Sequence, residues 1–153
     1  MAPEIGSPAP DFALRNIEGE PVSLGSLRGR KSLIVFIPFP FSDTCQGELC
    51  LIRDRLGDLE ALDANVVVIT TDTIFSNREW SNKNDFGFAV LSDFWPHGVV
   101  TQAYGAFDDR VGAANRSTYV LDADGVVRAI VATESRKIAR DFDAYVEALR
   151  SIG

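Results

Sequence analysis

The chain has 153 residues, 46% of them hydrophobic and 24% charged, which is the composition of an ordinary globular protein and excludes a disordered one. Its formal net charge of -7 argues against a surface for nucleic acid or anionic membrane, because such surfaces need clustered lysine and arginine. We therefore expect one domain over residues 1–153, with neither nucleic acid nor membrane as a partner.

The first residues of the sequence do not resemble a secretory signal, and the sequence has no apolar run of membrane-spanning length. Residues 1–8 lack the basic segment followed by an apolar one that marks a secretory signal. No apolar run approaches the roughly 20 residues that span a bilayer. We therefore expect a cytoplasmic protein, where the two cysteines are more often catalytic or metal-binding than joined in a structural disulfide.

The predicted elements begin with alternating strands and helices and end with a hairpin and a helix. Buried strands are indicated by continuous apolar runs, and the last helix by apolar residues at helical spacing. Parallel strands joined by helices, followed by an antiparallel pair, predict an α/β thioredoxin-like fold, a central mixed β-sheet flanked by helices with an N-terminal β-hairpin. In chain order the elements are a hairpin of 12–15 and 22–24, a strand 32–37, a helix 45–62, a strand 65–70, a helix 74–84, an edge strand 89–91, a helix 98–104, a hairpin of 119–121 and 126–131, and a helix 138–150.

Cys45 lies where the strand 32–37 gives way to the helix 45–62. The first turn of a helix has free backbone N–H groups and the positive end of the helix dipole. Both favour a thiolate, the reactive form of cysteine, whereas an unperturbed thiol is only a few per cent ionised at neutral pH. The position therefore indicates a thiol-based active site, although many free cysteines are simply buried apolar residues.

Pro38, Ser42 and Cys45 resemble the P-x-x-x-(T/S)-x-x-C signature of the peroxiredoxins, and Asn115-Arg116 resembles the family's active-site arginine segment. Cys45-Gln-Gly-Glu48 and the segment 92–97 are most similar to the AhpE-type, one-cysteine branch. The resemblance implies an antioxidant enzyme without a cofactor. It would be a thiol-dependent peroxidase that reduces hydrogen peroxide, organic hydroperoxides or peroxynitrite through a Cys45 sulfenic acid.

The same resemblance implies a role for each neighbour of Cys45. Arg116 would donate from its planar guanidinium to the thiolate and the peroxide. The alternative is that it is an arginine at a strand end that forms a surface ion pair. Ser42 would donate its hydroxyl to the peroxide, or else cap the helix. Pro38 would shield the thiolate from water as well as end the strand. Glu48 either supports the site by a hydrogen bond or, as we favour, is a carboxylate on the face of the helix.

Cys50 departs from the one-cysteine pattern. The C-x4-C spacing resembles the bacterioferritin-comigratory, or Q-type, peroxiredoxins, in which the second cysteine resolves the sulfenic acid. In an intact helix two Cα atoms five residues apart are roughly 8–9 Å apart, whereas a disulfide needs about 7 Å or less. Resolution therefore requires the first turns to unwind, which Gly47 would ease. The alternative is that Cys50 packs in the core.

Two other functions fit the same fold less well. A thiol–disulfide oxidoreductase usually carries C-x-x-C rather than C-x4-C. Copper carriers resemble C-x-x-x-C with a distant histidine, and His97, the only histidine, is expected in a loop without a metal site. As partners, the resemblance implies a peroxide and a reductant, namely a thioredoxin- or mycoredoxin-like protein or a low-molecular-weight thiol. It also suggests a homodimer through Phe41, Phe94 and Trp95.

Overall fold

A seven-stranded mixed β-sheet lies at the centre of the fold, in a computed structural model that describes residues 2–152. The two ends of the domain predicted over residues 1–153 lie outside the described residues. The strands are β1 (Ala13–Arg15), β2 (Pro21–Ser23), β3 (Lys31–Phe36), β4 (Ala64–Thr70), β5 (Ala89–Ser92), β6 (Phe107–Asp108), β7 (Ala113–Ala114), β8 (Ser117–Leu121) and β9 (Val127–Ala132). The helices are a 3-10 helix (Leu24–Leu27), α1 (Asp43–Asp54), α2 (Leu56–Glu60), α3 (Ile74–Asn84), α4 (Val99–Ala103) and α5 (Phe142–Ser151).

Strands β3, β4 and β5 are parallel and end at one edge of the sheet. The sheet order is β2-β1-β5-β4-β3-β8-β9, with β6 and β7 forming a separate ribbon. Phe36 pairs with Ile69, and Thr70 pairs with Ser92, so the last residues of the three parallel strands lie side by side. The segments that lead into α1, α3 and α4 therefore start at this edge, which is where parallel sheets place their sites.

Two apolar clusters cover the two faces of the sheet. Alternate residues of β3 point to opposite faces, because side chains of a strand alternate with a period of two. Leu33 and Val35 belong to the cluster that contains Cys45, Trp80 and residues of α5. Ile34 and Phe36 belong to the other cluster, with Tyr104 and Tyr119. Cys45 is thus part of the core between α1 and the sheet.

The predicted fold class is confirmed. The N-terminal hairpin, the strands at 32–37 and 65–70, the helices at 74–84 and 98–104, and the hairpin of β8 and β9 all form. Among residues 2–152, no helix is long and apolar enough to cross a membrane.

Three predicted elements were wrong in detail. The helix predicted at 45–62 is broken at Arg55, whose φ of -111° and ψ of 20° leave the helical region, and whose guanidinium stacks 4.2 Å from the Phe142 ring centroid. The strand at 89–91 is not an edge strand, because β1 pairs with it through Arg15 and Ser92. The helix predicted at 138–150 begins only at Phe142, where Asp141 caps it by accepting from the backbone N–H of Asp143.

Candidate active site

Cys45 is the third residue of α1 and is fully buried. Ser42 precedes the helix in an extended conformation, and the backbone N–H of Gln46 donates to its carbonyl at 2.8 Å, which closes the first helical turn. The first N–H groups of α1, in the turn that contains Cys45, therefore have no acceptors within the helix. The predicted position of Cys45 at the start of a helix that follows a central strand is correct.

The segment 38–42 connects β3 to α1 and precedes Cys45 in the chain. Pro38 is buried, whereas Phe41 is 47% exposed. The backbone φ of Phe41 is 70°, a value that residues other than glycine rarely adopt. Phe41 lies against Trp80, with ring centroids 6.0 Å apart. Ser42 donates its hydroxyl to the Phe39 carbonyl at 2.9 Å and makes no side-chain cap to α1. In this closed arrangement the Ser42 hydroxyl stabilises the turn.

Arg116 and Glu48 meet inside the protein, one helical turn after Cys45. Arg116 is 3% exposed and its Nη1 lies 2.5 Å from Oε1 of Glu48. Its Nε donates to the backbone carbonyl of Arg136. The favoured interpretation of Glu48 as a helix-face carboxylate was wrong, since only 8% of the residue is exposed, and Arg116 is not in a surface ion pair.

Arg140 completes this group and was not predicted. Its Nε and backbone N–H donate to Oε2 of Glu48 at 2.9 and 2.7 Å, and its Nη2 lies 2.9 Å from Oε1. Its Nη1 donates to the carbonyls of Phe36 and Ser117, so one buried side chain joins α1 to β3 and β8. No spacing in the sequence signals this contact, because Arg140 lies 92 positions from Glu48.

The charges of this group sum to a net positive charge. Burial acts to raise the pKa of Glu48, but the hydrogen bonds and charge of Arg140, with the charge of Arg116, lower it below the ordinary value of 4.5. Burial acts to lower the pKa of Arg140, but its surroundings, including the hydrogen bond and charge of Glu48, raise it overall. Two guanidinium groups face one carboxylate, so net positive charge remains beside the start of α1.

A cavity of about 460 Å³ opens on the outer side of Arg116. It is lined by Asn115 and Arg116, which precede β8, and by the segments 107–110 and 133–137. Arg116 is the member of the buried charged group that reaches this cavity. A small polar molecule can therefore approach the arginine from this side.

Cys50 points away from Cys45, toward α3. Its Sγ lies 3.6 Å from Nε2 of Gln46 and 4.0 Å from Oδ1 of Asn84, and the residue is only partly buried. Both cysteines are free thiols. The structure therefore does not bring Cys50 into the group formed by Cys45, Glu48 and the two arginines.

His97 lies in an exposed loop, where its two ring nitrogens contact the carbonyls of Phe94 and Gly112. Within residues 2–152, no group of three or more His, Cys, Asp or Glu side chains is placed to hold a metal ion.

Comparison with known proteins gives one consistent family. Residues 5–130 match the model of the AhpC/TSA family. The chain is 39% identical over 149 residues to alkyl hydroperoxide reductase E of Mycobacterium tuberculosis, covering 97% of both chains. It is 30% identical over 136 residues to the putative peroxiredoxin bcp of Coxiella burnetii, covering 85% of this chain and 89% of that one. The crystal structure of peroxidoxin BcpB from Mycobacterium tuberculosis superposes with a TM-score of 0.88 at 25% identity, covering 99% of both chains. The chain belongs to the AhpC/TSA family of peroxiredoxins and is a thiol-dependent peroxidase.

Proposed function

We propose that the peroxidase reaction of this chain runs through Cys45. The thiolate attacks one oxygen of a peroxide, the O–O bond breaks, and one product is a Cys45 sulfenic acid. The other is water or an alcohol after protonation of the leaving oxygen, or nitrite when the substrate is peroxynitrite. Hydrogen peroxide, organic hydroperoxides and peroxynitrite all contain this bond. The observation that carries the proposal is the net positive charge that Arg116 and Arg140 hold around Glu48, one turn after a buried cysteine at a helix N-terminus.

In this proposal Arg116 contacts the substrate, and Arg140 positions Arg116 indirectly, through Glu48. Arg116 lines a cavity of about 460 Å³, and its guanidinium would donate to a peroxide oxygen and to the charge that develops as the O–O bond breaks. Arg140 contributes charge and fixes Glu48, which in turn holds Arg116.

Pro38 and Ser42 act at the entrance to the thiol. Cys45 is fully buried, so entry of a peroxide requires the segment 38–42 to move. Movement releases the Ser42 hydroxyl from the Phe39 carbonyl and lets it donate to the peroxide. Pro38, itself buried, keeps water from the thiolate when the segment closes.

A thiol must reduce the oxidised enzyme for a second turnover. We propose a thioredoxin- or mycoredoxin-like protein or a low-molecular-weight thiol as the reductant, in the cytoplasm, with residues 1–153 acting as one domain. The support is that relatives named alkyl hydroperoxide reductase E and putative peroxiredoxin bcp align over most of the chain. Cys50 is proposed as the resolving cysteine, because it is a partly exposed free thiol on the same helix as Cys45.

We also propose a homodimer through the apolar residues at the edge where the parallel strands end. Phe41 is 47% exposed, Phe94 46% and Trp95 82%, and they lie on segments that follow β3 and β5. Such exposure of large apolar side chains is typical of interaction surfaces. Analytical ultracentrifugation of the wild type and of Trp95→Asp tests the proposal, which predicts a dimer and a monomer respectively.

Stopped-flow fluorescence tests the peroxidase proposal. Trp80 is buried beside Phe41 and bonded to α1, whereas Trp95 is exposed, so a Trp95→Phe background isolates the signal of Trp80. The reduced protein mixed with hydrogen peroxide should show a fast fluorescence change that Cys45→Ser abolishes and Cys50→Ser retains. A fast peroxide-dependent change that persists in Cys45→Ser would refute Cys45 as the nucleophile.

A further inference from the structure

One face of α1 is hydrogen-bonded to the C-terminal half of α3. Oε1 of Gln46 accepts from Nε1 of Trp80 at 2.6 Å, and Nε2 of Gln46 donates to Oδ1 of Asn84. Asn84 in turn donates from Nδ2 to the Trp80 carbonyl at 2.9 Å. We call Gln46, Trp80 and Asn84 the α1–α3 clasp. Both polar ends of the Gln46 amide are used, so the residue immediately after Cys45 is tied to a neighbouring helix.

Cys50 lies against this clasp. Gln46 and Cys50 are four residues apart and share a helix face, and the Cys50 Sγ lies 3.6 Å from the amide nitrogen of Gln46 and 4.0 Å from Oδ1 of Asn84. Cys45 is a fully buried member of the core cluster, whereas Cys50 is only partly buried and packs against the same cluster from a position about 140° further around the helix. The clasp therefore holds the two sulfurs on different sides of α1 as long as the helix is intact.

Formation of a disulfide requires the segment 45–50 to unwind, because roughly 8–9 Å separates Cα atoms five residues apart in a helix. Unwinding at residue 46 breaks the two hydrogen bonds that join Gln46 to α3, as well as the one from its side-chain amide to the Cys50 Sγ. It also leaves the Nε1 of Trp80, a residue with no exposed surface, without the acceptor it has in the folded helix. A buried donor that loses its partner is costly, so the clasp opposes the opening.

We propose that Gln46 is a positioning residue that sets the rate at which Cys50 resolves the Cys45 sulfenic acid. The proposal rests on the proposed functions of Cys45 and Cys50. In the resolving step the Cys50 sulfur attacks the Cys45 sulfur, an S–S bond forms, the S–O bond breaks, and the thiol proton leaves with the hydroxyl as water. While the clasp is closed, the sulfenic acid persists and can react with a second peroxide molecule, giving sulfinic acid and water or an alcohol.

The clasp thus divides the oxidised enzyme between two fates. Loss of Gln46 contacts should favour the disulfide, and their retention should favour over-oxidation when peroxide is in excess. Gln46→Ala is the informative variant, because alanine has the highest helix propensity and cannot itself weaken α1 as a helix. Faster resolution in this variant would therefore report the lost contacts of the Gln46 side chain with α3 and with the Cys50 Sγ.

Arg53→Ala supplies the matched control. Arg53 also joins α1 to α3, since its Nη1 donates to the Asn84 carbonyl at 2.8 Å. It lies beyond Cys50, outside the segment that must unwind to close a disulfide. Its loss should leave the resolving step unchanged if position 46 controls the opening. It should speed the step if any loosening of α1 from α3 is sufficient.

The experiment mixes reduced, full-length protein with one equivalent of hydrogen peroxide and quenches it with acid and an alkylating agent at set times. Intact-mass spectrometry then follows the sulfenic acid and the disulfide separately. We expect disulfide formation to be roughly 5- to 30-fold faster in Gln46→Ala than in wild type, the range that one or two kcal/mol produces. Arg53→Ala should match the wild type. With excess peroxide, Gln46→Ala should accumulate less sulfinic acid.

Equal rates of disulfide formation in Gln46→Ala and wild type, equal acceleration by Arg53→Ala, or no disulfide in Gln46→Ala would each overturn the role of Gln46. In those cases the sulfenic acid still forms on Cys45, and the peroxidase proposal stands. If no sulfenic acid forms on Cys45 in the wild type, the proposed function itself fails, and with it the role of Gln46.

Discussion

Arg140 forms a two-pronged ion pair with Glu48, with Nε 2.9 Å from Oε2 and Nη2 2.9 Å from Oε1. Glu48 lies one turn after Cys45, and it also holds Arg116. The carboxylate therefore fixes two guanidinium groups at once and leaves the group with net positive charge beside the proposed nucleophile. This relationship determines both the stability of α1 against the sheet and the electrostatics of the site.

Removal of the Glu48 carboxylate should destabilise the protein strongly. Glu48→Ala leaves two buried guanidinium groups without their shared partner, and breaking a buried ion pair in this way costs about 3–5 kcal/mol. Urea unfolding followed by circular dichroism measures the change. Glu147→Ala, which removes an exposed carboxylate, is the control and should change stability by no more than about 0.5 kcal/mol. Similar values for the two variants would contradict the burial of the ion pair.

The Glu48 carboxylate should make the stability of the folded protein fall with pH in the acid range. Burial alone would raise the pKa of Glu48, but Arg140 and Arg116 lower it below 4.5 in the folded protein. A lowered folded pKa means that the stabilisation is fully present above the unfolded pKa, and is lost as the pH falls through the folded pKa. Thermal melts between pH 7 and pH 3 should therefore show a steeper loss of stability below about pH 4.5 for wild type than for Glu48→Gln. Parallel plots of stability against pH for the two proteins would contradict a lowered pKa of Glu48 in the folded state.

Loss of Arg116 should slow both alkylation of Cys45 and reduction of peroxide. Arg116→Ala removes a buried charge from the group around Glu48 and the donor that reaches the outer cavity, and a single such donor contributes about 10²–10³-fold to rates in other enzymes. Arg116→Lys should recover only part of the loss, because lysine restores the charge but not the planar fork. Iodoacetamide reactivity as a function of pH, measured in a Cys50→Ser background, tests the electrostatic effect. An alkylation profile that does not move in Arg116→Ala would show that this arginine does not act on the thiol.

The local part of the site could be predicted from the sequence, and the resemblance identified Arg116 and Glu48, whereas Arg140 and its contact with Glu48 could not be predicted. The apolar strand, the proline, the hydroxyl residue and Cys45 are close in the chain, and each carries its own structural preference. The contact of Arg140 with Glu48 joins residues far apart in the chain and depends on how the chain packs against β3 and β8. The apolar spacing of the last helix also extends back to Ile138, which predicted Arg140 inside a helix. In the structure that helix begins at Phe142, and the backbone N–H of Arg140 is bonded to Glu48 instead.

The α1–α3 contact was hidden for a similar reason. The C-x4-C spacing identified Cys50 as a second thiol but gave no information about which side of α1 it occupies in the packed protein. That side is set by Trp80 and Asn84 of α3, whose distance from Gln46 in the chain is 34 and 38 positions. Helical periodicity alone predicts that Cys45 and Cys50 point apart. The packing adds that Gln46 and Asn84 lie beside the Cys50 Sγ.

Cys50→Ser should trap the oxidised enzyme as sulfenic acid. Without a second thiol on α1 no intramolecular disulfide can form, so dimedone labelling after one equivalent of peroxide should be several times stronger than in wild type. Further peroxide should then give more sulfinic acid. The helix should also stay ordered on oxidation, whereas in wild type the segment 45–50 loses order. Equal dimedone labelling of the two proteins would place Cys50 among the structural residues and return the chain to the one-cysteine class.

The most direct test of the proposed mechanism is to identify which cysteine one equivalent of peroxide oxidises to sulfenic acid. Reduced Cys50→Ser protein is mixed with one equivalent of hydrogen peroxide in the presence of dimedone, digested and analysed by peptide mass spectrometry, with the Cys45→Ser protein treated in parallel. We expect a nearly stoichiometric dimedone adduct on Cys45 once trapping is complete, and no loss of peroxide in Cys45→Ser. Peroxide consumption by Cys45→Ser at the wild-type rate, with Cys45 unlabelled in the Cys50→Ser protein, would contradict the role of Cys45 as the nucleophile.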